Sequence, residues 1–174
     1  MNYIPNIISG FRILLIPVLV YFLLISSYSA ALYIFIFMSI SDFLDGAVAR
    51  FFHFESLYGA YIDAIADKLM INICILILCE KSILPYYFFY IVFIRDMTII
   101  FGVILFNDIN EKIIINRVFL SKINTVLLVS LIIYSLLYLN KIASFLYIQD
   151  FINISILTSI LSAVEYTYRF KKKH

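Results

Sequence analysis

The chain has 174 residues, of which 64% are hydrophobic and only 14% are Asp, Glu, Lys or Arg. A soluble domain averages about 45–50% apolar and about 25% charged residues. A folded soluble protein of this composition would lack the polar side chains to cover its surface. That excludes an ordinary cytosolic enzyme, a disordered tail and a nucleic-acid-binding domain, and it leaves an integral membrane protein. Lys and Arg number 13 against 11 Asp and Glu, a net charge of +2 that gives no reason to expect a polyanionic partner. The length suits one domain, and residues 1–174 read as a single membrane domain.

A spanning helix needs about 20 mostly apolar residues. Six segments qualify, at 7–25, 30–50, 61–79, 83–106, 123–139 and 151–168, joined by short polar connections. The first carries Arg12 and lacks a basic leader, so it reads as a span rather than a signal peptide. Alternating ten-residue strand patterns do not recur, which argues against a barrel. The expected fold is an all-α integral membrane protein of six transmembrane helices. Cys74 and Cys79 lie five apart in one apolar run, match no metal spacing and read as packing residues.

Charge sets the orientation. With the N-terminus in the cytoplasm, Arg12, Arg50, Lys112, Arg117, Lys122, Arg169, Lys171, Lys172 and Lys173 fall at cytoplasmic ends or loops. Lys81 and Lys141 face the other side. Lys68 and Arg95 remain, both inside expected spans, and the role of Lys68 is left open.

Carboxylates inside a span cost about 2.5–3.5 kcal/mol each on insertion scales and usually mark function. The second span ends with Asp42 and Asp45, three apart, and the third begins with Asp63 and Asp67, four apart, so each pair shares a helix face. A loop of about eight residues makes the two helices antiparallel neighbours, and the pairs can converge on the cytoplasmic side. Gly46, Ala49, Gly59, Ala60 and Ala64 accompany them and allow close approach. Four facing carboxylates repel unless cations intervene, and an all-oxygen set suits Mg²⁺ or Mn²⁺. Four are enough for two ions a few ångströms apart, an arrangement used in phosphoryl chemistry. The metal site is therefore expected at the cytoplasmic ends of helices 2 and 3.

The complete pattern is Asp42-x2-Asp45-Gly46-x2-Ala49-Arg50-x8-Gly59-x3-Asp63-x3-Asp67. It resembles the signature of the CDP-alcohol phosphatidyltransferases, whose core is also six membrane helices. Pro5-Asn6 and Arg12 look like that family's entry into its first helix, with Ser9 in place of the usual Thr. The resemblance implies transfer of the phosphatidyl group of CDP-diacylglycerol to an alcohol with release of CMP. It implies that Asp42, Asp45, Asp63 and Asp67 ligate Mg²⁺ or Mn²⁺, two ions in all, and that Asp67 is also the catalytic base. It assigns Asp42, Gly46, Ala49, Arg50 and Gly59 to the CDP-lipid, with Arg50 near the pyrophosphate. Homodimers are common in the family.

The acceptor is read from the later spans. Arg95 is well inside the fourth, and its neighbour Asp96 is a candidate partner. Two readings stand: an internal salt bridge that fixes packing, or a cation for an acceptor phosphate, joined by Arg117 and Lys122 in a basic pocket. The stretches Phe93-Ile94-Arg95-Asp96-Met97 and Ser121-Lys122-Ile123-Asn124-Thr125 resemble those of cardiolipin synthases in the family. Phosphatidylglycerol is therefore the favoured acceptor, with glycerol 3-phosphate, the acceptor of phosphatidylglycerophosphate synthases, second. A metal-ion or proton transporter is the alternative from another class, but its acids would be spread over several helices near the midplane. The expected location is a bacterial inner membrane, with the active site facing the cytoplasm.

Overall fold

The computed structural model describes residues 4–51, 57–107 and 119–171, with side chains described over 14–41, 65–101 and 120–165. Six α-helices occupy the six apolar segments: α1 (Ile4–Leu24), α2 (Tyr28–Phe51), α3 (Leu57–Glu80), α4 (Tyr86–Asn107), α5 (Phe119–Leu139) and α6 (Ile148–Lys171). A 3₁₀ turn at Phe145–Tyr147 leads into α6, and no strand occurs among the described residues. Five of the helices run two to four residues past at least one end of their apolar segments, whereas α4 starts three residues inside its segment and passes the other end by one. The segments Leu120–Leu139 and Phe145–Glu165 are long and apolar enough to cross a membrane.

Three helices end in the same way. Ser26, Ser82 and Lys141, just past the ends of α1, α3 and α5, have φ of 59°, 58° and 62°. In each case the left-handed residue's N–H returns to a carbonyl three residues back, and the next N–H to one five back. The second set of bonds is Ser27 N to Phe22 O at 2.9 Å, Ile83 N to Leu78 O at 3.0 Å and Ile142 N to Leu137 O at 3.0 Å. This is the Schellman closure, which satisfies carbonyls the helix leaves open. It normally uses glycine, since a Cβ in the left-handed region costs roughly 1–2 kcal/mol. All four glycines lie elsewhere, so these stops carry no glycine signal in the sequence.

The three turns gather at one end of the bundle, where side chains join them. Lys81 Nζ donates to Ser26 Oγ at 3.0 Å, and Ser29 Oγ donates to Asn140 Oδ1 at 2.6 Å. The C-terminal ends of α2 and α4 and the N-terminal ends of α3 and α5 therefore lie at the opposite end.

Helix packing follows two four-membered rings that share an edge. In the first, α1 packs on α2 and α3, and α5 packs on the same two helices. In the second, α3 packs on α4, α4 on α6, and α6 on α5. Over the described residues α2 and α3 are linked through α1 and α5, each of which packs on both. Phe35, Met38, Ile75, Leu78, Phe88, Leu131, Ile132 and Leu136 are buried in the core. Cys74 and Cys79 are buried there as free thiols, in keeping with a packing role.

The outside is as apolar as the core. Tyr33 is 74% exposed, Val126 65% and Ile94 62%, and similar side chains stand out along all six helices. Among the buried residues, by contrast, are Arg95, Asp96, Asn72, Asn124 and Ser162. Water would reverse that distribution, whereas hydrocarbon around the bundle accounts for it.

Candidate functional site

The acidic motif falls within two continuous helices. Positions 42, 45, 46, 49 and 50 lie in the second half of α2, and positions 59, 63 and 67 in the first half of α3. Both stretches run toward the end of the bundle opposite the three turns. Helicity fixes the registers on which the expected metal site depends, three residues apart on α2 and four on α3. The side chains of Asp42, Asp45, Arg50 and Asp63, and positions Gly46, Ala49 and Gly59, lie outside the described side chains, and Arg117 lies outside the described residues. Asp67 is described and partly exposed. Among the described residues no three His, Cys, Asp or Glu side chains gather as a metal-binding group. The donor set nonetheless fits a hard divalent ion in its chemistry, being all carboxylate and held on rigid helices.

Next to Asp67 stands a network that is resolved in full. Asp96 of α4 is 2% exposed and is its hub. Its Oδ1 accepts from Lys68 Nζ at 2.8 Å and from Arg95 Nη1 at 2.6 Å. Its Oδ2 accepts from Asn72 Nδ2 at 2.9 Å, and the same amide donates to the Lys68 carbonyl at 2.8 Å. Arg95, 4% exposed, spreads its fork further. Nε donates to Ser162 Oγ at 2.9 Å and Nη2 to Ser121 Oγ at 2.8 Å. Four helices, α3 to α6, are tied together through one guanidinium and one carboxylate. Two cations share a single carboxylate, so the network carries one surplus positive charge beside the acidic helix face.

The Arg95–Asp96 contact matches the pairing considered from sequence. The partner Lys68, and the roles of Asn72, Ser121 and Ser162, are not legible there. The available signal was the rule that an ionisable group inside a span has a partner. That rule flags Lys68 but does not identify an aspartate 28 positions away. Lys122 is exposed and directly follows Ser121, so it stands at the level where Arg95 reaches α5.

A second polar cluster lies between α5 and α6. Asn124 Oδ1 accepts from Thr158 Oγ1 at 2.7 Å and from Ser159 Oγ at 3.0 Å. Asn124 Nδ2 and Ser155 Oγ are buried without a hydrogen-bond partner among the described residues. Hydroxyls and amides at such helix contacts hold membrane helices together by about 0.6 kcal/mol on average.

An all-helical bundle with an apolar exterior, buried ion pairs and an acidic motif on two helices defines a membrane-bound helical protein. The chain belongs to the CDP-alcohol phosphatidyltransferase family, whose model matches residues 2–164. It is 37% identical over 81 residues to a CDP-diacylglycerol–glycerol-3-phosphate 3-phosphatidyltransferase of Pseudomonas fluorescens, covering 45% of this chain and 42% of that one. It is 36% identical over 101 residues to a cardiolipin synthase (CMP-forming) of Rattus norvegicus, covering 58% and 33%. A CDP-diacylglycerol–glycerol-3-phosphate 3-phosphatidyltransferase of Aquifex aeolicus is 33% identical over 101 residues, covering 57% of each chain. The chain thus spans between a third and somewhat over half of the length of these relatives.

Proposed function

We propose that this chain transfers the phosphatidyl group of CDP-diacylglycerol to a glycerol-type acceptor, releasing CMP, in anionic phospholipid synthesis. The supporting observation is the complete eight-position motif lying on two uninterrupted helices of a chain in this family. We read all six helices as membrane spans, each of 21 to 24 residues. At 1.5 Å per residue even the shortest exceeds the roughly 30 Å of bilayer hydrocarbon. The acidic ends face the cytoplasm of a bacterial cell, and residues 1–174 act as one domain. A homodimer, common in the family, is part of the same reading.

Asp42, Asp45, Asp63 and Asp67 would hold two divalent ions, Mg²⁺ or Mn²⁺. When bound, such ions offset charge on the phosphoryl oxygens and on departing CMP. Arg50 pairs with the pyrophosphate as a fork of fixed donors. Gly46, Ala49 and Gly59 leave the helix surfaces clear for the nucleotide, and Asp42 borders it. The acceptor hydroxyl oxygen attacks the phosphatidyl phosphorus, the bond from that phosphorus to the CMP oxygen breaks, and CMP leaves with the electron pair. Asp67 takes the hydroxyl proton. A carboxylate is a weak base, so this role depends on its placement at the attacking oxygen.

Phosphatidylglycerol is the favoured acceptor, supported by the local resemblance at positions 93–97 and 121–125. Glycerol 3-phosphate is the second reading, supported by the names of the bacterial relatives. Both carry a phosphate, and Arg95, Arg117 and Lys122 are the cations proposed to meet it. The structure adds a positioning element to Arg95, whose Nε, Nη1 and Nη2 are each engaged within the protein. The test is purified protein with CDP-diacylglycerol, Mg²⁺ and each acceptor in turn, followed by CMP release and lipid product. Cardiolipin from phosphatidylglycerol is the expected product. Phosphatidylglycerophosphate alone would replace it with the second reading, and no CMP with any acceptor would overturn the activity.

A further inference from the structure

The Lys68–Asp96 contact poses a charge problem that the proposed reaction does not use. Lys68 directly follows Asp67 in α3, so its ammonium is tethered one position from a carboxylate of the motif. A free ammonium at this point would be an internal competitor for any divalent ion. It carries a positive charge, it is tethered to the acidic helix, and hydrocarbon offers it no better partner. Instead Asp96 holds it at 2.8 Å, on the α4 side of α3.

The way Asp96 is itself held makes this arrangement stiff. Oδ2 is braced by Asn72, one helical turn beyond Lys68 on α3, and Oδ1 is shared with Arg95. Arg95 is anchored independently by Ser162 of α6 and Ser121 of α5. If the Asp96 charge were removed, Arg95 would keep two of its three partners. The Lys68 side chain, 19% exposed against 4% for Arg95, would be repelled by that guanidinium with room to move. The nearest carboxylate in sequence is Asp67.

We propose that Asp96 is a positioning residue that holds the Lys68 ammonium on the α4 side of α3, so that this ammonium does not compete with divalent cations for Asp67 and its companion acids. This rests on the metal-binding reading of the acidic motif. Asp96 acts through Lys68 and touches neither the cation nor the substrate. Lys68 is tolerated beside the motif because Asp96 holds its ammonium, and that contact ties the register of α3 to that of α4.

The experiment is Mn²⁺ binding to purified full-length protein in detergent without CDP-lipid, read as loss of the free-ion electron paramagnetic resonance signal. Asp96→Asn is expected to weaken Mn²⁺ binding by about tenfold or more. Adding Lys68→Met to that variant is expected to restore affinity to within threefold of the parent, and Asp96→Glu to keep it there. A purely structural role for the pair predicts no such rescue, because the double variant lacks the contact altogether. Unchanged binding in Asp96→Asn, or no recovery in the double variant, overturns the proposal. If Asp96→Asn does not fold, Asn72→Leu loosens the same carboxylate, and its Mn²⁺ affinity must be weaker than the parent's and rise when Lys68→Met is added. A parent protein that binds no Mn²⁺ overturns the metal reading itself, and a parent that binds while the variants bind equally overturns the sequestration alone.

Discussion

Arg95 Nε donates to Ser162 Oγ at 2.9 Å, joining α4 to α6 across 67 positions of sequence. Both side chains are buried, Ser162 completely. A charged donor in that position depends on its acceptor, and leaving such a donor unmatched costs about 1–3 kcal/mol. Ser162→Ala is therefore expected to lower stability by that amount in thermal melts of the purified protein, while Ser162→Thr, which keeps the oxygen, loses less than half as much. Equal losses would mean that shape rather than the hydrogen bond holds the helices together.

The ion network predicts an ordering. Arg95→Gln leaves Lys68 and Asp96 as a neutral pair, whereas Asp96→Asn leaves two cations without a carboxylate. Breaking a buried pair by removing one partner costs about 3–5 kcal/mol. Asp96→Asn should therefore destabilise the protein at least twice as much as Arg95→Gln. The reverse order in melting experiments would show that the network is not governed by charge balance.

Arg95 also separates acceptor recognition from packing. If the guanidinium meets the acceptor phosphate, Arg95→Gln raises the acceptor KM more than tenfold and shifts the CDP-diacylglycerol KM less than threefold. Equal effects on both would assign Arg95 to helix packing alone.

Asp67→Asn retains size and hydrogen-bonding capacity but cannot take a proton at neutral pH. It is expected to bind CDP-diacylglycerol nearly as the parent does and to lose turnover. Activity above about a tenth of the parent's would exclude Asp67 as the base.

Ser155 Oγ is buried without a hydrogen-bond partner among the described residues, while Ser159 Oγ donates to Asn124 Oδ1. Removing an orphaned hydroxyl relieves a desolvation cost, and removing a bonded one loses about 1 kcal/mol. Ser155→Ala should be neutral or slightly stabilising and Ser159→Ala destabilising. A loss of more than about 1 kcal/mol in Ser155→Ala would reveal a partner for that hydroxyl, such as a buried water.

Much of this protein is legible in its sequence because hydrocarbon is an exacting solvent. A 20-residue apolar run closes its own backbone hydrogen bonds only as a helix, so the six segments and their helical state follow from composition. The acidic pairs at spacings of three and four follow from the same periodicity, and the family follows from the motif they form. Local rules reach less far at the ends of helices. The stops at Ser26, Ser82 and Lys141 use left-handed residues without glycine, and the bonds that close them depend on the whole turn.

What the tertiary structure alone decided is which polar groups meet. Sequence places Lys68 and Arg95 within apolar helical segments, but Asp96 serves both because α3 and α4 pack side by side. The fork of Arg95 reaches Ser121 and Ser162 because α5 and α6 complete the second ring. Among the described residues the same packing has α1 and α5 each bridge α2 and α3. Hydropathy is a property of one helix at a time, and it names the solvent and the spans. Pairing of buried charges is a property of several helices together, fixed by ring order and helix register, and no single segment contains it.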